Sequence, residues 1–278
     1  MGACMSLLLN SNIEEKIKHH IVGKIARVGG SVNQLLNYQN CVVEDTNLVD
    51  GGYGIVRSMN GVRTPLQMIK VVQRYLSQER KFLQRGYAVP RDRKTLSLDM
   101  HTAYEVPSLA RRYDAVISSN MIEHSPNPIL LLLNFYFVTR EGGYQYHAIP
   151  HYKYTFDVHR VPTPLEHMIQ DFEHKTNESD TSHNEDYVQS AIEKHGWQRG
   201  FHEKYPVAYP YMHFHVFDEN NIKQLFELMF EDVVTDVLTT QEFSDNVVLF
   251  RNTLNKDFVG QYRALIESYS KNILSGRP

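Results

Sequence analysis

Apolar and polar positions are most clearly ordered between Tyr113 and Asp157. Tyr113–Ser119 is a short apolar run rich in branched side chains, the pattern of a strand buried on both faces of a parallel sheet. Residues 120–124 then place the polar side chains of Asn120, Glu123 and His124 at the mouth of that strand, and Pro126 and Pro128 open a helix through residues 130–133 and 135–138. Proline is tolerated there because the first helical N–H groups have no intrahelical partner. Gly142-Gly143 is expected to stop this helix, and residues 144–149 give a second strand closed by Pro150. In open α/β sheets ligands sit beyond the carboxyl ends of strands, so the polar residues after both strands mark where a site belongs.

The same reading covers the rest of the chain less evenly. Residues 13–28 mix charged and apolar residues at roughly helical spacing up to Gly29-Gly30, and residues 31–38 continue as a short helix or turn. Val42-Val43 and Leu48-Val49 are strand-like fragments around a polar loop. Residues 65–83 carry Leu66, Ile69, Val72, Leu76 and Leu83 at helical spacing, with Gly86 as a stop. Residues 95–98 read as a strand ending at Asp99. A helix is expected over residues 163–173, with Thr163 as N-cap, Pro164 first and Glu166 third. His167, Asp171 and His174 would then share one face at i, i+4 and i+7. Residues 211–217 alternate, which places His213 and His215 on one strand face and Phe214 and Val216 on the other. Asp218 caps a helix over residues 221–230, and residues 243–250 supply a turn and a last apolar strand. The domain organisation expected is an N-terminal helical arm, 1–40, and one domain, 41–278. Residues 177–209 are read as a lid insertion anchored by Trp197 and Phe201.

Several of these residues together carry a family likeness. Tyr113-Asp114-Ala115-Val116, Ser118, Glu123-His124, Pro128, Gly142-Gly143 and Pro150 resemble the second half of a class I S-adenosylmethionine (SAM) dependent methyltransferase domain of type 11. Tyr154-Thr155-Phe156-Asp157, Arg160, Thr163, His167 and Asp171 resemble a subgroup found among bacterial surface-glycan genes. The likeness covers roughly residues 95 to 250 and is poor upstream. It implies an α/β fold: a Rossmann-like class I methyltransferase sheet, mostly parallel with an antiparallel C-terminal strand and helices on both faces. It also implies SAM as cofactor.

In that family the first strand ends in an acidic residue and a glycine-rich turn that lets the backbone approach the cofactor. Asp50-Gly51-Gly52-Tyr53-Gly54 has this spacing, so the resemblance assigns Asp50, Gly52 and Gly54 to SAM. The competing reading is a hairpin, since Ile55-Val56-Arg57-Ser58 is β-prone and Asn60-Gly61 is a turn signal. The second-strand acidic residue that holds the ribose in the family has no clear counterpart. Asp99 and Met100 match the positions that contact adenine, and Asn120 joins the cofactor set at the mouth of the fourth strand; a loop aspartate capping a turn is the alternative for Asp99.

The resemblance places His124 near the transferring methyl, where a histidine can take a proton from an acceptor hydroxyl; the alternative is a helix cap. Glu123 would orient a group or react. His147, His151, Asp157, His159 and Arg160 cluster in sequence with Tyr152, Tyr154 and Phe156, and aromatic faces with a few polar groups suit a sugar or other polyhydroxyl acceptor. Asp157 and His151 are further candidate bases, and Arg160 a fork for phosphate or carboxylate; otherwise Asp157 pairs with Arg160 in a structural network. His147, Tyr154, Arg160, His167, His213 and His215 form the expected acceptor-binding set. Helical His/Asp spacing is no zinc signature, so no metal ligand is assigned.

Composition narrows the function further. In a chain of 278 residues, 42% hydrophobic and 22% charged residues are those of a soluble globular protein. A net charge of −3 offers no basic field for nucleic acid. Cys4 and Cys41 are too few for a disulfide framework and suit a reducing compartment. Residues 5–9 are too short for a signal segment and no apolar run spans a membrane, so a cytoplasmic protein is expected, with its oligomeric state open. The expected function is SAM-dependent methyl transfer to an oxygen of a sugar or glycan precursor. The rivals are a catalytically silent, methyltransferase-like binding or scaffold protein in glycan biosynthesis, and a metal-dependent enzyme using the histidine-rich site.

Overall fold

The computed structural model describes residues 19–29, 41–47, 93–97, 100–196, 212–239 and 244–275. Seven strands form one sheet in the order β3-β2-β1-β4-β5-β7-β6. They are β1 (Gly23–Gly29), β2 (Cys41–Asn47), β3 (Arg93–Ser97), β4 (Tyr113–Ser119), β5 (Thr139–Pro150), β6 (Val234–Thr239) and β7 (Ser244–Arg251). β1 to β5 pair in parallel, and β7 runs antiparallel between β5 and β6. This is the expected Rossmann-like, mostly parallel sheet with an antiparallel C-terminal strand. The chain runs from β1 outward to β3 and returns to β4 on the other side of β1, so the switch point lies between β1 and β4.

β4 forms where its sequence pattern puts it, and Ala115, Val116 and Ile117 are all fully buried. On one face Ala26, Val28 and Val116 join a core with Leu131, Phe135, Phe172, Phe226, Phe250 and Phe258. Ile25, Ala115 and Ile117, next to them along the strands, are equally buried, so both faces of the central strands are covered. α1 (Pro128–Val138) is buried at every position except Tyr136 and lies within this core. Asn127 caps it, its side-chain oxygen accepting from Leu130 N at 3.0 Å. α4 (Glu219–Met229) starts at Asp218 as expected, in a reciprocal capping box with Asn221.

Four expectations need correction. First, residues 23–28 are not helical; they are β1, in the middle of the sheet, and a domain boundary at residue 40 would cut it away. A central strand buries consecutive residues, here Ile25 to Val28, so the apolar spacing carried no period-2 signal. Second, Cys41–Asn47 is therefore the second strand. Asp50, Gly52 and Gly54 follow β2, not β1, and lie outside the described residues. Third, Gly142-Gly143 sits inside β5, at a register irregularity with β4. A Cβ on Gly143 would come within 2.5 Å of the Asp114 carbonyl oxygen, so glycine is needed there for close strand approach. Fourth, Thr163 does not cap α2 (Leu165–His174); its hydroxyl accepts from Val216 N at 2.9 Å instead. Asp99 lies outside the described residues, and Met100 is fully buried in the core.

One buried ion pair ties β2 to β4. The Glu44 carboxylate accepts from Arg112 Nε and Nη2 at 3.1 and 3.0 Å and from the Tyr113 hydroxyl at 2.9 Å, with Lys24 Nζ at 3.2 Å. Burial opposes its charge, but Arg112, Tyr113 and Lys24 outweigh that and bring the carboxyl from 4.5 to about 2. A lowered folded value means the stabilisation is present above pH 4.5 and fades as pH falls toward 2. Glu44→Gln is expected to lower stability at pH 7 by about 2 kcal/mol, and to flatten the acid limb between those pH values. Denaturant melts at pH 7 and 3 test this; parallel acid limbs for parent and variant would disprove it.

Candidate active site

The site builds up at the carboxyl edge of β4 and β5. After Ser119 the backbone turns through Asn120, with φ of 52°, whose N–H donates to the Ala148 carbonyl at 3.1 Å. A short 3-10 turn, Ile122–His124, then presents Glu123 and His124. The Glu123 residue is only 1% exposed, yet neither carboxylate oxygen has a hydrogen-bond partner among the described residues. Because β7 is antiparallel, its first residues lie at this same edge, with Asn246 opposite Ile149. Both polar atoms of the Asn246 amide are likewise buried and unpartnered among the described residues. Buried polar groups left unsatisfied call for an explanation, and function is one.

Burial pushes the Glu123 carboxyl up to about 7, with Asp245 and Asp157 adding and His213 opposing. Burial also raises Asp245 to about 6. His124 Nε2 lies 3.8 Å from Glu123 Oε1. Its Nδ1 is 2.9 Å from the Met212 carbonyl oxygen, which can only accept, so Nδ1 carries the proton and Nε2 a lone pair. Burial and the nearby His213 push His124 down to about 3, and the ring is neutral.

Beside it, His213 Nδ1 bonds the Asp157 carboxylate, and the His124 and His213 rings meet edge-on at 4.7 Å. Asp157 is also held by Arg160 Nη1 at 2.9 Å and by the Thr155 hydroxyl at 3.0 Å. Arg160 further reaches Asp186 at 2.5 Å and the carbonyls of His213 and Phe214 at 2.7 and 3.3 Å. Burial works against both charges, but the pairing prevails: Asp157 ends below its usual range and His213 above. The result is a fixed histidine–carboxylate–guanidinium chain behind Glu123 and His124.

This geometry revises several expected roles. Asp157 is not a free base, and Arg160 is not a free anion fork, because every contact above is internal. His151 donates from Nε2 to Glu219 at 2.8 Å and accepts from Lys153 N at 3.3 Å, which ties the end of β5 to the start of α4 and leaves no nitrogen for catalysis. His147 lies within the sheet, bonded to Ser118 Oγ at 2.7 Å and Gln145 at 3.0 Å and stacked on Phe135, so it is a core residue and does not reach an acceptor. Tyr154 is 46% exposed near the His151 ring. Asp245 was missed as a chemical group; Glu123, in the Glu-His pair just past β4, was read as a residue that orients a group or reacts but not as the leading base.

Residues 212–218 do not form the expected strand. The N–H groups of Phe214 and His215 both point to the Glu123 carbonyl, at 2.8 and 3.4 Å, so the segment is stapled to the loop after β4 and not to a sheet edge. His213 and His215 therefore part company. His215 joins His167, Asp171 and His183, whose ligand-type atoms all lie within 4.8 Å of one another. His174 is exposed and outside this group. The unexpected member, His183, comes from the proposed lid region. That region forms α3 (Asn184–Tyr187) and a π turn (Val188–Lys194), with Tyr187 and Ala191 packed on Met212 and Phe214. Trp197 and Phe201 lie outside the described residues.

No family model matches this chain, and no curated protein matches it. Solved structures do resemble it. The SAM-dependent methyltransferase SibL is 14% identical, with 88% of this chain and 53% of that chain covered and a TM-score of 0.43. An arsenic(III) SAM methyltransferase from Chlamydomonas reinhardtii is 12% identical, covering 88% and 71%, at 0.39. The CurJ carbon methyltransferase is 12% identical, covering 83% and 48%, at 0.40. The chain thus spans about half the length of two of these three. Among the described residues no helix is long and apolar enough to cross a membrane.

Proposed function

We propose that this chain is a SAM-dependent methyltransferase acting on a hydroxyl of a sugar or glycan precursor. The observation that carries the reading is the unpaired, buried Glu123 carboxylate at the carboxyl edge of β4, next to the β1/β4 switch point. The close approach of the end of β1 to β4 supports the reading. Gly29 ends β1 with φ of 82°, and a Cβ on it would lie 2.1 Å from the Met121 side chain and 2.6 Å from the Ser119 carbonyl oxygen. Only glycine lets the β1 turn approach β4 this closely. Gly29 and Asn120 would line the methionine end. Asp50, three positions after β2 in the sequence (50 − 47), would be the acid that holds the ribose, and Asp99 the adenine candidate.

Bound SAM would supply an electrophilic methyl group. Glu123, with its carboxyl near neutrality, is the base best matched to take the acceptor hydroxyl proton, since catalytic efficiency is greatest when the base titrates near the working pH. Neutral His124 presents its Nε2 lone pair to the same space and accepts a hydrogen bond that orients the hydroxyl. The His213–Asp157–Arg160 chain holds both in place.

A catalytically silent binding protein is the second reading, favoured by the end of β1, where Arg27-Val28-Gly29 contains no acidic residue. Calorimetric titration with SAM and S-adenosylhomocysteine separates the two. Micromolar binding is expected, weakened in Asp99→Ala. Absence of binding by both ligands, in folded and ligand-free protein, would rule the methyltransferase reading out.

A further inference from the structure

We propose that His167, Asp171, His183 and His215 form a four-coordinate site for a divalent transition metal of the zinc class. The site stands apart from the methyltransferase reading and does not rest on it.

The spacing of the donor atoms is the first argument. His167 Nε2 lies 3.3 Å from His183 Nε2 and 3.4 Å from Asp171 Oδ2, and His215 Nε2 lies 2.9 Å from the same oxygen. A tetrahedron with metal–ligand bonds near 2.0–2.1 Å has edges of about 3.3 Å. The three imidazole rings surround a common point, with centroids 5.0, 5.4 and 5.9 Å apart and planes inclined at 61° to 78°.

The proton positions supply the second argument. His215 Nδ1 is 3.0 Å from the Ser125 carbonyl oxygen, which can only accept, so the ring proton sits on Nδ1. Nε2 then turns a lone pair toward the Asp171 carboxylate. Two electron-rich atoms face each other at 2.9 Å, and the His215 side chain is 0% exposed. Either the ring takes on a buried charge or a cation lies between the two groups. Ligating histidines typically donate their other N–H to a backbone carbonyl or carboxylate, as His215 does here.

Three nitrogens and one carboxylate oxygen select zinc and its late first-row neighbours over magnesium or calcium, which require oxygen cages. Four protein ligands fill a tetrahedron, so the role is structural and not catalytic. The ligands come from α2, from the segment before α3 and from residues 212–218. The ion would clamp the lid region onto the peptide that carries Glu123 and His124, since His215 also bonds the carbonyls of Glu123 and Ser125.

The test is elemental analysis of the full chain purified without metal chelation. Chelator stripping, calorimetric titration with zinc sulfate and a cobalt(II) absorption spectrum follow. One equivalent per chain and a tetrahedral cobalt spectrum are expected, with zinc affinity reduced at least ~100-fold in His183→Ala and in the more exposed His167→Ala. His124→Ala should keep the full equivalent. Folding of each variant is checked by circular dichroism, and the two variants stand in for each other if one fails to fold. Metal-free, folded protein that takes up no zinc would overturn the proposal. So would metal lost in His124→Ala and retained in His183→Ala, because the ion would then belong to Glu123, His124 and His213, whose ligand atoms also converge. SAM binding is read separately, so either proposal can fail alone.

Discussion

Glu123→Gln is expected to make the protein more stable above pH 7 and, under the proposed function, to abolish most of the methyl transfer. The folded carboxyl titrates near 7 and the unfolded one near 4.5, so the fold favours the protonated form. The group therefore costs nothing well below pH 4.5. The cost grows as pH rises from 4.5 to 7 and stays constant above, reaching about 3 kcal/mol at pH 8 against about 1 kcal/mol at pH 5. Glutamine removes that penalty together with the repulsion between Glu123 and Asp245, which titrates near 6, and both changes favour the variant at high pH. Urea unfolding at pH 5 and pH 8 measures the difference, with the variant's advantage larger at pH 8. A variant less stable than its parent at pH 8 would mean that Glu123 is paired in solution. Methyl transfer should fall by ~100- to 10,000-fold, the usual contribution of a positioned base, with SAM affinity unchanged.

Arg160→Ala should produce the largest loss of stability of any single change at the site. The guanidinium is 2% exposed and satisfies Asp157, Asp186 and two carbonyls at once. Its removal takes the guanidinium from the Asp157 carboxylate, which keeps only His213 and Thr155, and strands both carbonyls in a buried environment, a loss of about 3–5 kcal/mol. Arg160→Lys should recover little of this, since an ammonium cannot fork across carboxylate and carbonyls together. Thermal and urea unfolding at neutral pH give the number. A loss below about 1 kcal/mol would show that the network behaves as a surface pair.

Both predictions depend on groups that the sequence reading placed near one another and to which it gave different roles. Asp157 and Arg160 were legible as a pair, because three residues separate them in a short polar run. Their third partner was not, because His213 is 56 residues away and turns toward Asp157 only when residues 212–218 leave the strand conformation. His151 and His147 looked alike on paper, two histidines four residues apart around the end of β5. Their surroundings separate them: His147 lies among Phe135, Phe226 and Phe250, and His151 beside Glu219.

Local pattern was sufficient where each residue's neighbours in space are also its neighbours in sequence. β4, the proline-opened α1, the Asp218 cap and the polar loop after β4 were all readable because their periodicity and capping chemistry are short-range. β1 was not, since a strand paired on both sides and covered on both faces loses the alternation that would reveal it. The sequence alone thus determined the α/β class, β4, most of β5, β7 and the edge where Glu123 and His124 stand, whereas β6 at Val234–Thr239 went unread. The convergence of His167, Asp171, His183 and His215 was decided only by tertiary structure. Their separations in sequence, from 4 to 48 residues (171 − 167 and 215 − 167), carry no fixed spacing, and packing alone sets the distances between their side chains.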